Sequence, residues 1–357
     1  MSALSVFGAL IAVWAVFGWL LRRFALQGLT CTRAFAQPAA FAGEEGELIE
    51  VVRNDRPFLI PWLRVESRVA PGLRLGRQEN LHRSGEMYYS SLFTLMPWQQ
   101  IRRRHRVRFL RRGAYDLGSA SLTAGDMLGL FTVSRDQKMS APVLVYPRLL
   151  DGGELPAPLN RLLQEAVARR SLLADPFLVR GIRPYQPGDP VQDIHWAATA
   201  RTGETQVRLH DPAAQMRLMV VFNMERRAGQ WGDTMMDYEQ EAVEEMISLA
   251  ATVCLRALRS GLQAGFATNM PRGEGKLSTV LPPSGGPARE EELLSAFARL
   301  SVRRTLAFPL FLRELEELEG LDMLVLSPFD SPEIRSALEP LAGRNSLRFM
   351  TLEGDAG

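Results

Sequence analysis

The sequence predicts an α+β multidomain protein with an N-terminal transmembrane helix, a β-sandwich-like domain and a C-terminal α/β domain. The first 21 of its 357 residues contain no charged side chain. Between residues 46 and 147, short alternating runs indicate strands, and no segment sustains the 3.6-residue period of a helix. From residue 216 onward, continuous apolar runs alternate with helical stripes, which is the pattern of a parallel sheet covered by helices.

Composition and charge narrow the class of protein. Apolar residues make up 46% of the chain and charged residues 23%, which excludes a disordered or collagen-like protein. Residues 22–112 carry 17 Lys and Arg against 8 Asp and Glu, a net of +9, whereas residues 113–357 carry 25 against 32, a net of −7. The two cysteines, Cys31 and Cys254, are too few for a disulfide framework and form no CxxC metal site.

The predicted anchor is the apolar run at residues 3–21. At a helical rise of about 1.5 Å per residue, its 19 residues span roughly 28 Å, close to the hydrocarbon thickness of a bilayer. A signal peptide is the alternative, since Ala34-Phe35-Ala36 resembles a cleavage site, but a signal peptide carries its positive charge before the apolar run. Here Arg22 and Arg23 follow it. The positive-inside rule then predicts a single-pass protein of the cell membrane with its soluble domains in the cytoplasm.

The predicted β-rich domain covers residues 24–150 and contains seven arginines between Arg102 and Arg112. We expect strands at 88–95, 101–110, 114–117 and 142–146. Arg102, Arg104, Arg106 and Arg108 recur at period two, so they lie on one side of a strand. This pattern favours a solvated face, with contact to anionic lipid headgroups as the alternative. Apart from Phe109 the run lacks the aromatic residues on which bases stack, so we expect no nucleic-acid partner.

The remaining chain is predicted as a helical connector with a distinctive loop at 151–215 and an α/β domain at 216–357. Expected helices lie at 159–173, 238–259, 290–300 and 332–343, and expected strands at 216–222, 263–268, 322–326 and 347–352. The Pro- and Gly-rich segment 282–287 is expected to be a flexible loop.

The most distinctive stretch is 178–209, where arginines, aspartates and two aromatic residues, Tyr185 and Trp196, are interspersed with three prolines. Because guanidinium groups pair bidentately with carboxylates, we expect Asp189 to pair with Arg183 or Arg201 in a non-helical loop, with Trp196 packed beneath them. The alternative, that these residues face solvent and contact a partner, stays open. His195, beside Asp193, is the one plausible acid–base group, and a structural capping role is favoured over a catalytic one.

A family resemblance rests on this stretch. Arg183-Pro184-Tyr185-Gln186-Pro187-Gly188-Asp189 is followed by Ile194-His195-Trp196 and Thr199-Ala200-Arg201. These motifs resemble the signature of the domain of unknown function 58 family. Arg111-Arg112-Gly113-Ala114-Tyr115 and the run Gly125–Phe131 are similar to two further family motifs. Family members commonly have two membrane helices, whereas one is predicted here.

The resemblance implies a von Willebrand factor A-like C-terminal domain. In metal-binding versions the first strand ends in Asp-x-Ser-x-Ser, whereas this chain has Asn223-Met224-Glu225-Arg226-Arg227. A hard divalent cation needs several oxygen ligands. We therefore expect a degenerate metal site, with Glu225 as the one remaining ligand candidate and Arg227 repelling a cation, and we expect no cofactor. The resemblance also implies association with MoxR-type AAA+ ATPases in the assembly or maturation of other proteins.

The sequence as a whole predicts a membrane-anchored interaction or scaffold protein that is not an enzyme. The alternative is a membrane-bound hydrolase or ligand-binding protein that uses residues 183–201 as a pocket. The candidate contact residues are Arg183, Tyr185, Pro187, Gly188, Asp189, His195, Trp196 and Arg201.

Overall fold

The computed structural model describes residues 8, 14, 16, 18, 19, 26–76, 81–83, 86–126, 131–173, 179–186, 191–210, 216–230, 235–273 and 275–352. The chain divides into two compact units, the β unit (residues 1–148) and the α/β unit (residues 149–357). Most of the predicted anchor lies outside the described residues. Within the described residues, no helix has both the length and the apolar character needed to cross a membrane.

The β unit consists of short strands in three sheets. Its strands are β1 (Leu29–Phe35), β2 (Ala39–Phe41), β3 (Glu45–Asn54), β4 (Ile60–Val69), β5 (Leu73–Leu75), β6 (Leu81–Arg83), β7 (Glu86–Leu95), β8 (Gln100–Phe109), β9 (Gly113–Asp116), β10 (Ser119–Gly125), β11 (Thr132–Lys138) and β12 (Pro142–Tyr146). The sheet orders are β1-β3-β8-β5, β11-β10-β4-β7-β6 and β2-β12-β9. The four strands predicted in the second half of this unit are observed as β7, β8, β9 and β12, with ends within two residues of the prediction.

The four-stranded and five-stranded sheets share two apolar clusters. Val52 of β3 and Phe93 of β7 lie in one cluster, and Leu48 and Val69 lie in the other. Side chains alternate between the two faces of a strand, so residues two positions apart point to the same side. Inward-facing positions therefore also lie between the two clusters. Polar residues occupy those positions.

The polar residues form a buried layer that joins the two sheets. The carboxylate of Glu50 on β3 accepts hydrogen bonds from Arg33 Nε at 2.8 Å and Nη2 at 2.6 Å, and its other oxygen lies 3.0 Å from His105 Nε2. These three residues belong to the four-stranded sheet. From the five-stranded sheet, Ser67 accepts a hydrogen bond from Arg33, and the Tyr89 hydroxyl lies 2.7 Å from His105 Nδ1. Each charged group therefore has a partner between the two sheets.

The electrostatics of this layer favour the ionised carboxylate. Burial of Glu50 would by itself raise the pKa of its carboxyl, but hydrogen bonds from His105 and Arg33 and the charge of Arg33 hold that pKa below its usual range. The folded pKa is thus lower than the unfolded one. This contribution to the free energy of unfolding is present above the unfolded pKa and is lost as the pH falls through the folded pKa.

We predict that Glu50→Ala destabilises the protein by about 3–5 kcal/mol, because it leaves the Arg33 guanidinium buried without its carboxylate. The matched control is Glu47→Ala on the same strand. Glu47 pairs with the exposed Arg104 at 3.6 Å, and an exposed pair of this kind contributes about 0–1 kcal/mol. Urea denaturation of the detergent-solubilised full chain at neutral pH measures both. Equal stability losses for the two variants would contradict the buried-layer account.

The arginine run occupies β8. Arg102, Arg104, Arg106 and Arg108 are all exposed, while Val107 and Phe109 are buried. The prediction that the four arginines share one solvent-facing side is confirmed.

The α/β unit alternates strands with helices. Its helices are α1 (Ala157–Leu173), α2 (Trp196–Thr202), α3 (Asp237–Arg259), α4 (Arg289–Ala298), α5 (Phe308–Glu314) and α6 (Pro332–Ala342). Its strands are β13 (Val179–Pro184), β14 (Gln206–His210), β15 (Arg217–Phe222), β16 (Gln263–Thr268), β17 (Thr279–Ser284), β18 (Asp322–Ser327) and β19 (Ser346–Thr351). The main sheet has the order β17-β16-β15-β18-β19, with β17 antiparallel and the other four strands parallel.

Both faces of this sheet are covered, which explains the continuous apolar run of β15. Leu218, Val220 and Phe222 pack in a cluster with the apolar stripe of α3. Met219 and Val221 pack in a second cluster with residues of α5 and α6. A strand between two helical layers has no solvent face, so positions 218–222 are all apolar and only Arg217, at the start of the strand, is exposed.

Around the main sheet, β17 and α5 depart from the sequence prediction. Part of the segment expected to be a flexible loop belongs to β17, whose Pro282 and Pro283 lie at the end of an edge strand. An edge strand tolerates proline because one side of its backbone makes no ladder hydrogen bonds. Helix α5 was not predicted, since its seven residues are too short to establish a helical period.

Candidate functional site

The signature residues form a small module at 179–210, here called the signature module. Strands β13 and β14 pair as an antiparallel ribbon, with Arg183 opposite Val207. A 3-10 turn at Val191–Asp193 and helix α2 lie between these strands in the chain. The predicted non-helical loop is therefore wrong from Trp196 onward. The three prolines of the motif all precede α2, so they do not interrupt its hydrogen bonds.

His195 caps the start of α2. Its Nδ1 accepts a hydrogen bond from the Ala198 amide at 3.0 Å, and its carbonyl accepts one from the Thr199 hydroxyl at 3.1 Å. The Thr199 hydroxyl in turn accepts from the Gln206 amide at 3.0 Å, which ties the helix to β14. Because Nδ1 acts as an acceptor, the proton of a neutral His195 ring lies on Nε2. The sequence favoured a structural histidine that caps a network of loop residues, whereas His195 caps a helix.

The module presents its aromatic residues to solvent. Trp196 is 68% exposed and Val191 is 70% exposed, and Ile182 and Tyr185 are exposed as well. The prediction that Trp196 packs beneath charged residues is wrong, because it is the first residue of a helix that buries none of its side chains.

Of the other predicted contact residues, Arg201 is exposed and Arg183 is half-buried, donating to the Pro184 carbonyl at 3.0 Å. Pro187, Gly188 and Asp189 lie outside the described residues, and so does any pairing of Asp189 with an arginine.

A second polar cluster lies at the carboxyl ends of the main sheet, here called the carboxyl-edge cluster. If the five strands are renumbered 1 to 5 along the chain, with β15 as strand 1, their order across the sheet is 3-2-1-4-5. The order therefore reverses between β15 and β18. Open α/β sheets place their ligand sites at such a switch point. Asn223, Glu225, Asn269 and Ser327 follow or end the three central strands, and all four are buried.

Asn223 is the centre of this cluster. Its Oδ1 accepts from the Glu225 amide at 2.9 Å, and its Nδ2 donates to Ser327 Oγ at 3.1 Å. The Ser327 hydroxyl donates to the Phe329 carbonyl at 2.6 Å, so its oxygen is left to accept from Asn223. A carboxylate at position 223 would put two acceptors in contact. The hydrogen bonding therefore specifies an amide.

Glu225 and Arg304 extend the cluster towards α3 and α5. Glu225 Oε1 accepts from the Phe308 amide at 3.1 Å. Burial raises the pKa of the Glu225 carboxyl, and the Phe308 hydrogen bond and the charge of Arg304 partly offset that rise. Arg304 pairs with Glu239 at 3.2 Å, and both side chains are buried.

The cation beside this cluster is Arg304. Arg227, which the sequence placed in the site, is exposed instead. Across the described residues, no three His, Cys, Asp or Glu side chains lie close enough together to hold a metal ion.

The comparison with protein families covers both the signature module and the carboxyl-edge cluster. Residues 181–346 match the family model described as a protein of unknown function, DUF58. Over these residues the chain is similar to the DUF58 family. The uncharacterized protein YeaD of Bacillus subtilis (strain 168) is 21% identical over 299 residues, which cover 80% of this chain and 66% of YeaD. The matched part of this chain thus spans just under two thirds of that relative's length.

Solved structures are only distantly similar. The CARDB domain of the PF1109 protein of Pyrococcus furiosus is 16% identical and has a TM-score of 0.23, with coverage of 33% of this chain and 91% of that domain. The sporulation control protein Spo0M of Bacillus subtilis is 13% identical and has a TM-score of 0.18, with coverage of 45% of this chain and 59% of Spo0M. At these TM-scores neither structure defines the fold of this chain.

Sequence reasoning found only part of the carboxyl-edge cluster. It singled out Asn223 and Glu225 but not Asn269, Glu239 or Arg304. Asn269 directly follows a predicted buried strand, and polar residues at that position of neighbouring parallel strands meet at one edge of the sheet. That signal was present in the sequence. Arg304 comes from a connection whose path the sequence does not reveal.

We predict that Asn223→Asp lowers the free energy of unfolding at neutral pH by about 1–3 kcal/mol, because the new carboxylate leaves buried groups without complementary partners. Millimolar Mg²⁺ should not raise the melting temperature of the wild-type protein, whereas a cation at 100 times its dissociation constant would add about 2.7 kcal/mol. Thermal unfolding of both proteins with and without Mg²⁺ measures this. A Mg²⁺-dependent rise that is lost in Asn223→Ala would show that the cluster is a metal site.

Proposed function

We propose that this chain is a membrane-anchored interaction protein without enzymatic activity, and that its signature module docks a MoxR-type AAA+ ATPase during the assembly or maturation of other proteins. The observation that carries the docking proposal is the exposure of Trp196 and Val191 within the family signature. The identity of the ATPase follows from family resemblance alone.

The physical argument concerns the cost of leaving apolar side chains in water. Burying one large apolar side chain contributes about 1.5–3 kcal/mol, and a family motif that leaves several exposed is typical of a protein–protein contact. Tryptophan and tyrosine are the residues most often responsible for binding energy at such contacts. Trp196 and Tyr185 offer these two side chains close to a helix whose start is fixed by His195.

The membrane part of the proposal rests on residues 3–21 and on the arginines that follow them. The same features support a cytoplasmic location for both units, because short loops rich in Lys and Arg stay on the inner side.

The alternative is a hydrolase or ligand-binding protein with a pocket at residues 183–201. Such a site needs an enclosed concavity with convergent polar groups. The exposed Val191 and Trp196, and the use of His195 Nδ1 as a helix cap, favour a docking surface over a pocket.

The test is direct binding of the purified full chain to a purified MoxR-type ATPase. Trp196→Ala should weaken binding by about 30-fold, the equivalent of a hot-spot loss of roughly 2 kcal/mol, while changing stability by no more than about 0.5 kcal/mol, as expected for an exposed residue. Tyr238→Ala is the matched control, because Tyr238 is an exposed aromatic residue of the same unit outside the signature module.

Three results would contradict the proposal. Unchanged binding by the Trp196→Ala variant would show that Trp196 is not part of the docking surface. Equal losses for Trp196→Ala and Tyr238→Ala would show that the effect is not specific to the module. A large loss of stability in Trp196→Ala would assign the residue a structural role.

A further inference from the structure

One end of the β unit carries an exposed apolar tip made of two loops. The first loop, residues 55–59, joins β3 to β4, and the second, residues 96–99, joins β7 to β8. Trp98 is 68% exposed and Phe58 is 61% exposed, and Leu59 and Met96 are exposed as well. We call residues 55–59 and 96–99 the apolar tip.

The tip is held in place by the backbone of both loops. The buried side chain of Asn54 donates through Nδ2 to the Phe58 carbonyl at 2.8 Å and to the Met96 carbonyl at 3.0 Å. The Trp98 amide donates to the Arg56 carbonyl at 3.0 Å. These bonds fix the two loops against each other, so the exposed side chains form one surface.

Trp98 also adopts a strained backbone conformation. Its φ is +61°, and it is the non-glycine residue with a positive φ among those the structure describes. This region is unfavourable for an ordinary L-residue, because its Cβ approaches the following carbonyl oxygen. Strain of this kind persists where the surrounding structure enforces it, and it is concentrated at functional positions. Here it accompanies a large apolar side chain that is turned towards solvent.

The N-terminal segment reaches the β unit at this same end. The Asp55 amide donates to the Gly28 carbonyl at 3.1 Å, and Leu29 at the start of β1 pairs with Asn54. The ring of Trp14, within the predicted anchor, lies 4.9 Å from that of Phe131. Phe131 precedes β11, and β11 pairs with the same end of β10 that pairs with the start of β4. Those residues of the N-terminal segment that the structure describes therefore contact the β unit near the tip.

The charges around the tip are mainly basic. Arg53, Arg56 and Arg102 flank the loops, and Asp55 is the acidic neighbour, paired with Arg53 at 2.6 Å. Aromatic and aliphatic side chains surrounded by arginines match the chemistry of a bilayer interface, where rings lie at headgroup level and cations lie near anionic lipids.

We propose that the apolar tip inserts into the interfacial region of an anionic bilayer, beside the point where the N-terminal segment meets the β unit. Phe58 and Trp98 provide the apolar contact, and Arg102 provides contact with lipid phosphate. This function is separate from ATPase docking, which uses the other unit.

The test places a fluorophore at the tip of the full chain, reconstituted into vesicles of phosphatidylethanolamine and phosphatidylglycerol. Trp98→Cys and Phe58→Cys provide the labelling sites. The native Cys31 and Cys254 are buried, and burial raises the pKa of Cys31 to about 12, so neither competes for a thiol reagent. Leu110→Cys is the matched control, because Leu110 is 45% exposed and follows the opposite end of β8.

Quenching by nitroxide-labelled lipid should be severalfold stronger at positions 58 and 98 than at 110, and quenching by aqueous iodide should show the opposite order. Arg102→Glu should reduce the lipid quenching at 98. Arg108→Glu should leave it unchanged, since about six residues of strand, roughly 20 Å, separate the two arginines.

Iodide quenching at 98 equal to that at 110 would overturn the proposal. Shielding of position 98 from both quenchers would also overturn it, because it would indicate a protein contact. If the chain did not enter the vesicles at all, the proposed contact with a membrane would be wrong. No ATPase is present in this assay, so its outcome is independent of the docking experiment.

Discussion

The side-chain amide of Asn223 connects the central strands of the α/β unit at the point where the strand order reverses. It accepts from the loop that follows β15 and donates to Ser327 at the end of β18. Asn269, at the end of β16, accepts from the Met224 amide at 3.1 Å and so completes the connection. In the same loop Gln230 donates to Glu239, near the start of α3, and its side-chain oxygen accepts from the Arg226 amide at 2.9 Å. A switch point that binds ligands in other α/β sheets is filled here by the protein's own polar groups.

The β unit contains charged side chains that are buried between two apolar clusters. Removing Arg33 and Glu50 from water costs several kcal/mol per ion, and only close, complementary geometry offsets that cost. The layer of Arg33, Glu50 and His105 lies between two apolar clusters at alternating strand positions. If the pairing of a strand slipped by one residue, all its inward-facing side chains, charged and apolar alike, would turn to the outer face. The charged groups would then lose their partners, so the layer also favours the observed pairing.

The sequence predicted the elements of the α/β unit well because buried strands and amphipathic helices differ in period. It did not predict the carboxyl-edge cluster as a set, since Asn269 and Arg304 come together only when the chain folds. The error at Trp196 has a different cause: an aromatic residue among charges was expected to be covered, and sequence alone does not show which side of a short helix has a partner. The tip residues Phe58 and Trp98 were also missed, because two turns remote in sequence form one surface.

The central claim is that the family signature is an exposed docking surface, and hydrogen–deuterium exchange tests it most directly. Amides of residues 191–202 should exchange more slowly when a purified MoxR-type ATPase is added to the full chain, because a bound partner covers α2 and the turn before it. Amides of β8, in the other unit, should exchange at the same rate with and without the ATPase. Unchanged exchange at 191–202, with slower exchange elsewhere in the chain, would contradict the account.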